Sequence, residues 1–171
     1  MKKKIYIAYT GGTIGMKNST NGYIPVKGHL TQAIQAIPEF YHEQMPNFVI
    51  NEYDSLIDSA NIAPKDWQLI AQDIKQHYHD YDGFVILHGT DTMAYTSSAL
   101  SFMFEYLSKP IIITGSQIPL SQLRSDGQVN LLNALYLAAN YPICEVSLFF
   151  NNKLFRGNRS YKAHANGFDA F

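Results

Sequence analysis

The sequence predicts an α/β fold, with a mostly parallel sheet covered by helices on both faces. Three observations carry this. Residues 4–9, 83–90 and 111–116 are apolar almost throughout, as strands buried on two sides must be. Segments with helical spacing separate them. Each of these strands ends in a polar, glycine-containing tip: "TGGT" at 10–13, "HGTD" at 88–91 and "TGSQ" at 114–117. In open α/β sheets ligands bind at the carboxyl ends of the strands, so three such tips point to one site.

Taken in order, residues 4–9 form the first buried strand. Residues 16–28 read as a loop with a turn at Asn21-Gly22. Residues 29–37 make a short helix, and Pro38 and Pro46 mark an irregular stretch. Residues 48–54, "FVINEYD", alternate as a strand does. A helix starts at Pro64 and Asp66 and places Trp67, Ile70, Ala71 and Ile74 on one side. The strand at 83–90 leads into an apolar helix over 92–107, which Pro110 stops. After the strand at 111–116, a helix over 126–140 carries Leu131, Leu132, Leu135 and Ala138 on one face. Residues 145–152 form a further strand, and the last twenty residues read as polar and irregular.

Composition narrows the function. The chain has 171 residues, 46% hydrophobic and 16% charged, which is ordinary for a globular domain. A chain of this size buries roughly 70% of the surface that it exposes when unfolded. A formal net charge of −1 gives no basic surface for nucleic acid. No run approaches the ~20 apolar residues of a membrane span, and "MKKKIYIAYTGG" lacks the long apolar run and cleavage site of a signal peptide. A cytoplasmic location is expected. Cys144 is the only cysteine, so no intrachain disulfide can form, and its apolar setting predicts a small buried residue. The chain stops at "AHANGFDAF" without a capping signal, which suggests the N-terminal portion of a longer protein, a natural flexible tail being the alternative.

The tips hold the candidate chemistry. "TGGTIG" lacks the Gly-Lys-Ser/Thr ending of a phosphate loop, and Gly11, Gly12 and Gly15 do not have dinucleotide spacing. No acidic residue stands in 30–38, where a ribose contact belongs. "HGTDT" sets a hydroxyl beside a carboxylate. Thr90 or Asp91 can cap the following helix, or the pair can hold an ammonium group and orient water. A threonine nucleophile needs a base or a proton relay nearby. Lys162 follows the last strand and can reach back, against the plainer reading of a surface charge. Tyr23 sits on a loop able to close over Thr13. His77 and His79 are two apart on a helix and diverge, His88 reads as a structural histidine, and no zinc spacing occurs.

"TGGTIG" after a strand, followed by "VILHGTDTMAYT" at 85–96, resembles the two characteristic motifs of bacterial-type L-asparaginases. "GYIPVKGHL", "ITGSQIPL", "RSDGQVNLLNALYLAAN" and "FFNNKLFRGNRSYKAHANGFDAF" are similar to the cytoplasmic type I branch, so the resemblance covers essentially the whole chain. It implies a Rossmann-like three-layer sandwich over residues 1–171, the first of two α/β domains. It implies hydrolysis of L-asparagine to L-aspartate and ammonia through an acyl-enzyme, without metal or organic cofactor. A homodimer or tetramer is the implied assembly, with the site completed by the second domain of a neighbouring subunit.

Residue by residue, the resemblance makes Thr13 the nucleophile and Tyr23 the lid tyrosine that helps to activate it. Thr90, Asp91 and Lys162 match the second threonine and its lysine–carboxylate relay, and Asp91 also grips the α-ammonium. Asp58, Ser59 and Ala60 match the loop holding the substrate's α-carboxylate and ammonium. Ala60 stands where relatives often carry Ser or Gln, which leaves only backbone donation there. Ser116 matches a position whose backbone faces the scissile amide. Two other readings remain open: an ammonia-supplying amidotransferase subunit, and a nucleotide-binding α/β module in which Thr13 is only a loop residue.

Overall fold

The computed structural model describes residues 2–20 and 22–171. Among these residues eight strands run in chain order: β1 (Lys4–Tyr9), β2 (Met16–Ser19), β3 (Gly22–Pro25), β4 (Asn47–Glu52), β5 (Gly83–Leu87), β6 (Ile111–Thr114), β7 (Val146–Phe150) and β8 (Lys153–Arg156). Four helices accompany them: α1 (His29–Gln35), α2 (Pro64–His77), α3 (Met93–Met103) and α4 (Gly127–Asn140). The main sheet has the order β4-β1-β5-β6-β7-β8. All its pairings are parallel except β7 with β8.

The alternation of side chains along buried strands divides the core into two layers. On one face Ile5, Ile7, Val85, Leu87 and Ile112 pack with Leu30 and Ile34 of α1 and Leu131 and Leu135 of α4. On the other, Ala8, Phe84, Ile86, Ile111 and Ile113 pack with Ile70 and Ile74 of α2 and Met93 and Leu100 of α3. The predicted three-layer α/β architecture is therefore the observed one. Each fully buried Ile or Leu contributes roughly 1.5–3 kcal/mol relative to exposure.

The strand order locates the crevice. From β1 the chain moves outward to β4, then crosses back through α2 to β5 on the other side of β1. Successive connections thus diverge at β1 and β5. Such a switch point opens a cleft beyond the carboxyl ends of its two strands. Those ends are the "TGGT" and "HGTD" tips.

Several expectations are corrected. Residues 16–28 are not simply a loop: β2 and β3 form an antiparallel hairpin, with Lys17 opposite Ile24 and Asn18 opposite Tyr23. Asn21 of the expected turn lies outside the described residues. The helix expected over 92–107 ends at Met103, and Tyr106 adopts φ 55°, a conformation that no helix continues through. The strand expected over 83–90 ends at Leu87, which frees residues 88–91 as a tip. The last twenty residues are not wholly irregular, since Lys153–Arg156 closes the sheet as an antiparallel edge strand. The end of the chain is packed down: Ala163 N–H donates to Ala170 O at 2.7 Å, Ala170 is buried, and the Phe171 ring meets Phe150 at 5.2 Å. Cys144 is exposed, not buried, because it lies in the connection before β7 and not within the strand.

Candidate active site

The Thr13 turn is built from below. Tyr9, fully buried at the end of β1, donates its hydroxyl to Gly12 O at 3.3 Å. Burial, aided by the Glu52 carboxylate, pushes the Tyr9 phenol well above its usual range, so it stays a neutral donor. Gly12 has φ 94°, and a Cβ there would come within 2.5 Å of Gly89 N. A Cβ on Gly89 would lie 2.3 Å from Ser59 Oγ and 3.5 Å from Gly12 Cα. Glycine at 12 and 89 is what lets the tips of β1 and β5 and the Ser59 loop close on one another. Thr13 begins a short 3-10 turn, half-buried, and among the described residues its hydroxyl has no protein partner.

Opposite it, the β5 tip carries a charged cluster. Lys162 Nζ donates to Thr90 Oγ1 and to Asp91 Oδ1, both at 2.9 Å. Its side chain is only 15% exposed, against 61% for Asp91. Thr90 Oγ1 in turn donates to Gln117 Oε1 at 3.2 Å. Neither Thr90 nor Asp91 caps α3, whose first turn has no side-chain cap bond. Lys162 thus has two side-chain partners, and 71 residues of sequence separate groups that meet here.

The other expected residues divide. Ser59 is buried against the Gly89 backbone, and its carbonyl accepts Thr92 Oγ1 at 2.6 Å. The Asp58 carboxylate accepts Ala60 N–H at 3.1 Å and Asn61 Nδ2 at 3.0 Å, so the Ala60 N–H is engaged within its own loop. Ser116 is buried, and its hydroxyl donates to Ile118 O at 2.5 Å. Tyr23 sits on the exposed hairpin, 48% accessible. Among the described residues its hydroxyl makes no hydrogen bond, so the structure does not join it to the cluster.

Sequence reasoning missed the supports. Gln117 Nε2 donates to Ala165 O at 3.2 Å and Gly167 O at 3.0 Å, tying the Lys162 segment to the β6 tip. The Asp126 carboxylate accepts the N–H groups of Gln117 and Ile118 at 3.0–3.1 Å. Asn130 Nδ2 donates to Gly115 O at 3.0 Å. The available signal was Asp126 and Asn130, polar residues at the start of the helix read over 126–140. Among the described residues no group of three or more His, Cys, Asp or Glu is placed to hold a metal.

A hydroxyl–ammonium–carboxylate cluster at the switch point of a doubly wound sheet defines an α/β domain with a polar site at its strand tips. A family model described as "Asparaginase, N-terminal" matches residues 4–171, and the chain belongs to that family. It is 71% identical over 170 residues to L-asparaginase 1 of Escherichia coli strain K12, covering 99% of this chain and 50% of that protein. The crystal structure of L-asparaginase I from Vibrio cholerae superposes with a TM-score of 0.93 at 65% identity, over 97% of this chain and 50% of that one. A probable cytoplasmic L-asparaginase from Campylobacter jejuni gives a TM-score of 0.84 at 28% identity, over 99% and 51% of the two chains. The chain thus spans about half the length of these three relatives.

Proposed function

We propose that this chain is the catalytic N-terminal domain of an L-asparaginase, hydrolysing L-asparagine to L-aspartate and ammonia. The carrying observation is Lys162 Nζ bonded to both Thr90 Oγ1 and Asp91 at the β5 tip, whose Gly89 backbone packs on Gly12, next to Thr13. In this reading Thr13 Oγ attacks the side-chain amide carbon. The C–N bond breaks, the nitrogen leaves as ammonia with the Thr13 proton, and a β-aspartyl ester remains. Tyr23, closing with its hairpin, assists the first proton transfer. In the second half Thr90 takes a proton from water as Lys162, in its amine form, takes the Thr90 proton. Water oxygen replaces Thr13 Oγ on the carbonyl carbon, the C–Oγ bond breaks, and Thr13 takes its proton back from Lys162 through Thr90, which returns Lys162 to its amine form. Backbone N–H groups at the tips hold the oxyanion, and losing one such donor typically costs on the order of 10²-fold or more in rate.

Asp58, Ser59, Ala60, Asp91 and the Ser116 backbone form the substrate's binding surface in this reading. The relatives' double length and the N-terminal family match support residues 1–171 as one domain of a two-domain enzyme, assembled as a dimer or tetramer. A cytoplasmic location is supported by the name of the Campylobacter neighbour, and among the described residues no helix is long and apolar enough to cross a membrane.

The test is ammonia release from L-asparagine by the full-length protein, with hydroxylamine added to intercept the ester as aspartyl hydroxamate. Release with hydroxamate formation, both lost in a folded Thr13→Ala variant, is expected. No release by the wild type overturns the asparaginase reading. Wild-type turnover in Thr13→Ala overturns the nucleophile.

A further inference from the structure

Behind the β5 tip lies a buried polar chain that the mechanism above does not use. Trp67 of α2 donates Nε1–H to Thr96 Oγ1 of α3 at 3.0 Å. Thr96 Oγ1 lies 3.0 Å from His88 Nε2, and His88 Nδ1 lies 2.7 Å from Gly89 O. Thr96 is fully buried and His88 is 2% exposed. Donors and acceptors settle the protons. Gly89 O can only accept, so His88 Nδ1 must carry a hydrogen. Indole N–H can only donate, so Thr96 Oγ1 accepts it. The Thr96 hydrogen then has one acceptor among the described residues, a bare His88 Nε2. Every polar atom of the chain is matched in this one arrangement and in no other. Burial also disfavours the imidazolium, and pushes His88 below its ordinary range.

We propose that His88 is a positioning residue, held as the neutral Nδ1–H tautomer by the Trp67–Thr96 relay so that it aims the Gly89–Thr90 peptide. The peptide is trans, as are all the described ones, so its C=O and N–H point in opposite directions. With Gly89 O drawn back onto the His88 ring, Thr90 N–H faces away from the core, toward the cleft. Among the described residues this N–H has no protein acceptor, although Thr90 is only 8% exposed. A donor aimed and unspent in this way suits the oxyanion of an amide addition. Which ring nitrogen is protonated thus sets the direction of a backbone dipole two bonds beyond Gly89 Cα. The kinetic part of this inference rests on the asparaginase reading; the tautomer and the peptide direction do not.

Two-bond ¹H–¹⁵N spectra of histidine-labelled full-length protein at neutral pH read the tautomer directly. The Nδ1–H form is expected at His88, and an Nε2–H form or the doubly protonated ring overturns the proposal. In Thr96→Val the relay is cut at constant shape. The Thr90 amide resonance is expected to move, and an unmoved resonance overturns the coupling. With L-asparagine, Thr96→Val is expected to lower kcat by about 10-fold, less than the complete loss of an oxyanion donor, with KM nearly unchanged. Thr96→Ser, which keeps the hydroxyl, is expected to restore kcat. Equal kcat in wild type and Thr96→Val overturns the positioning role. A wild type that releases no ammonia defeats the asparaginase reading, while the spectra still decide the tautomer and the peptide direction. The wild-type spectrum alone keeps the proposal falsifiable should Thr96→Val fail to fold.

Discussion

At the scale of single residues, the cleft depends on side chains that are absent. Gly12 holds φ 94° with the Gly89 backbone where a Cβ would sit. Gly12→Ala must accept a left-handed backbone at roughly 1–2 kcal/mol and also push the β1 and β5 tips apart. We expect a loss of at least about 2 kcal/mol in urea unfolding, with Thr13 displaced. Unchanged stability would mean that the tips are not held in contact. Lys162 makes the opposite case. Its ion pair with Asp91 is open to solvent on the carboxylate side, so Lys162→Met is expected to change stability by less than about 1 kcal/mol. In the asparaginase reading turnover with L-asparagine should nevertheless fall on the order of 10²-fold or more, because the group that takes the Thr90 proton is lost. A normal rate would return Lys162 to the role of a surface charge.

At the scale of elements, α4 acts as the site's scaffold through its first turn. The Asp126 carboxylate holds two backbone N–H groups of the 115–118 segment, and that segment's Gln117 reaches Thr90. Asp126→Ala leaves both N–H groups without an acceptor and is expected to cost about 1–3 kcal/mol. It should also slow turnover by loosening Thr90, which paired urea and ammonia-release measurements would separate from Asp126→Asn, where one acceptor oxygen survives. What the sequence made legible follows the same physics. The strands β1, β5, β6 and β7 were readable because burial on two faces demands unbroken apolar runs. The hairpin β2–β3 was not, since all four residues of β3 are exposed and its pattern carries no burial signal. Nor was β8, an exposed edge strand of four residues. Thr13, Thr90 and Asp91 stood out by their place at strand tips, and Lys162 as a lysine that follows the last strand and can reach back to them. Gln117, Asp126 and the Trp67–Thr96–His88 chain join residues 8 to 50 positions apart, which only the packed layers bring together.

At the scale of the whole molecule, the site and the stability of the fold share a residue. The sheet switches direction between β1 and β5, and His88 sits at that point, sealed between the sheet and the α2–α3 layer. Desolvation lowers its proton affinity below the ordinary imidazole value of 6.5. Above that value both the folded and the unfolded chain hold His88 neutral, and nothing is lost. Below it the unfolded chain takes up a proton that the folded chain refuses, so stability falls as pH drops through the folded value. The slope from one such group approaches about 1.4 kcal/mol per pH unit. Asp82, held low chiefly by its hydrogen bond from Lys3, loses its contribution only in a separate, more acidic window below the ordinary carboxylate value of 3.8. Urea unfolding at about pH 7.5 and about pH 5.5 should therefore show a weaker fold at the lower pH, within the range where His88 and not the carboxylates titrates. In His88→Gln the fold is expected to be less stable at both, because the Thr96 and Gly89 partners are disturbed, but the difference between the two should shrink. An acid slope as steep in His88→Gln as in the wild type would place the pH sensitivity elsewhere in the chain.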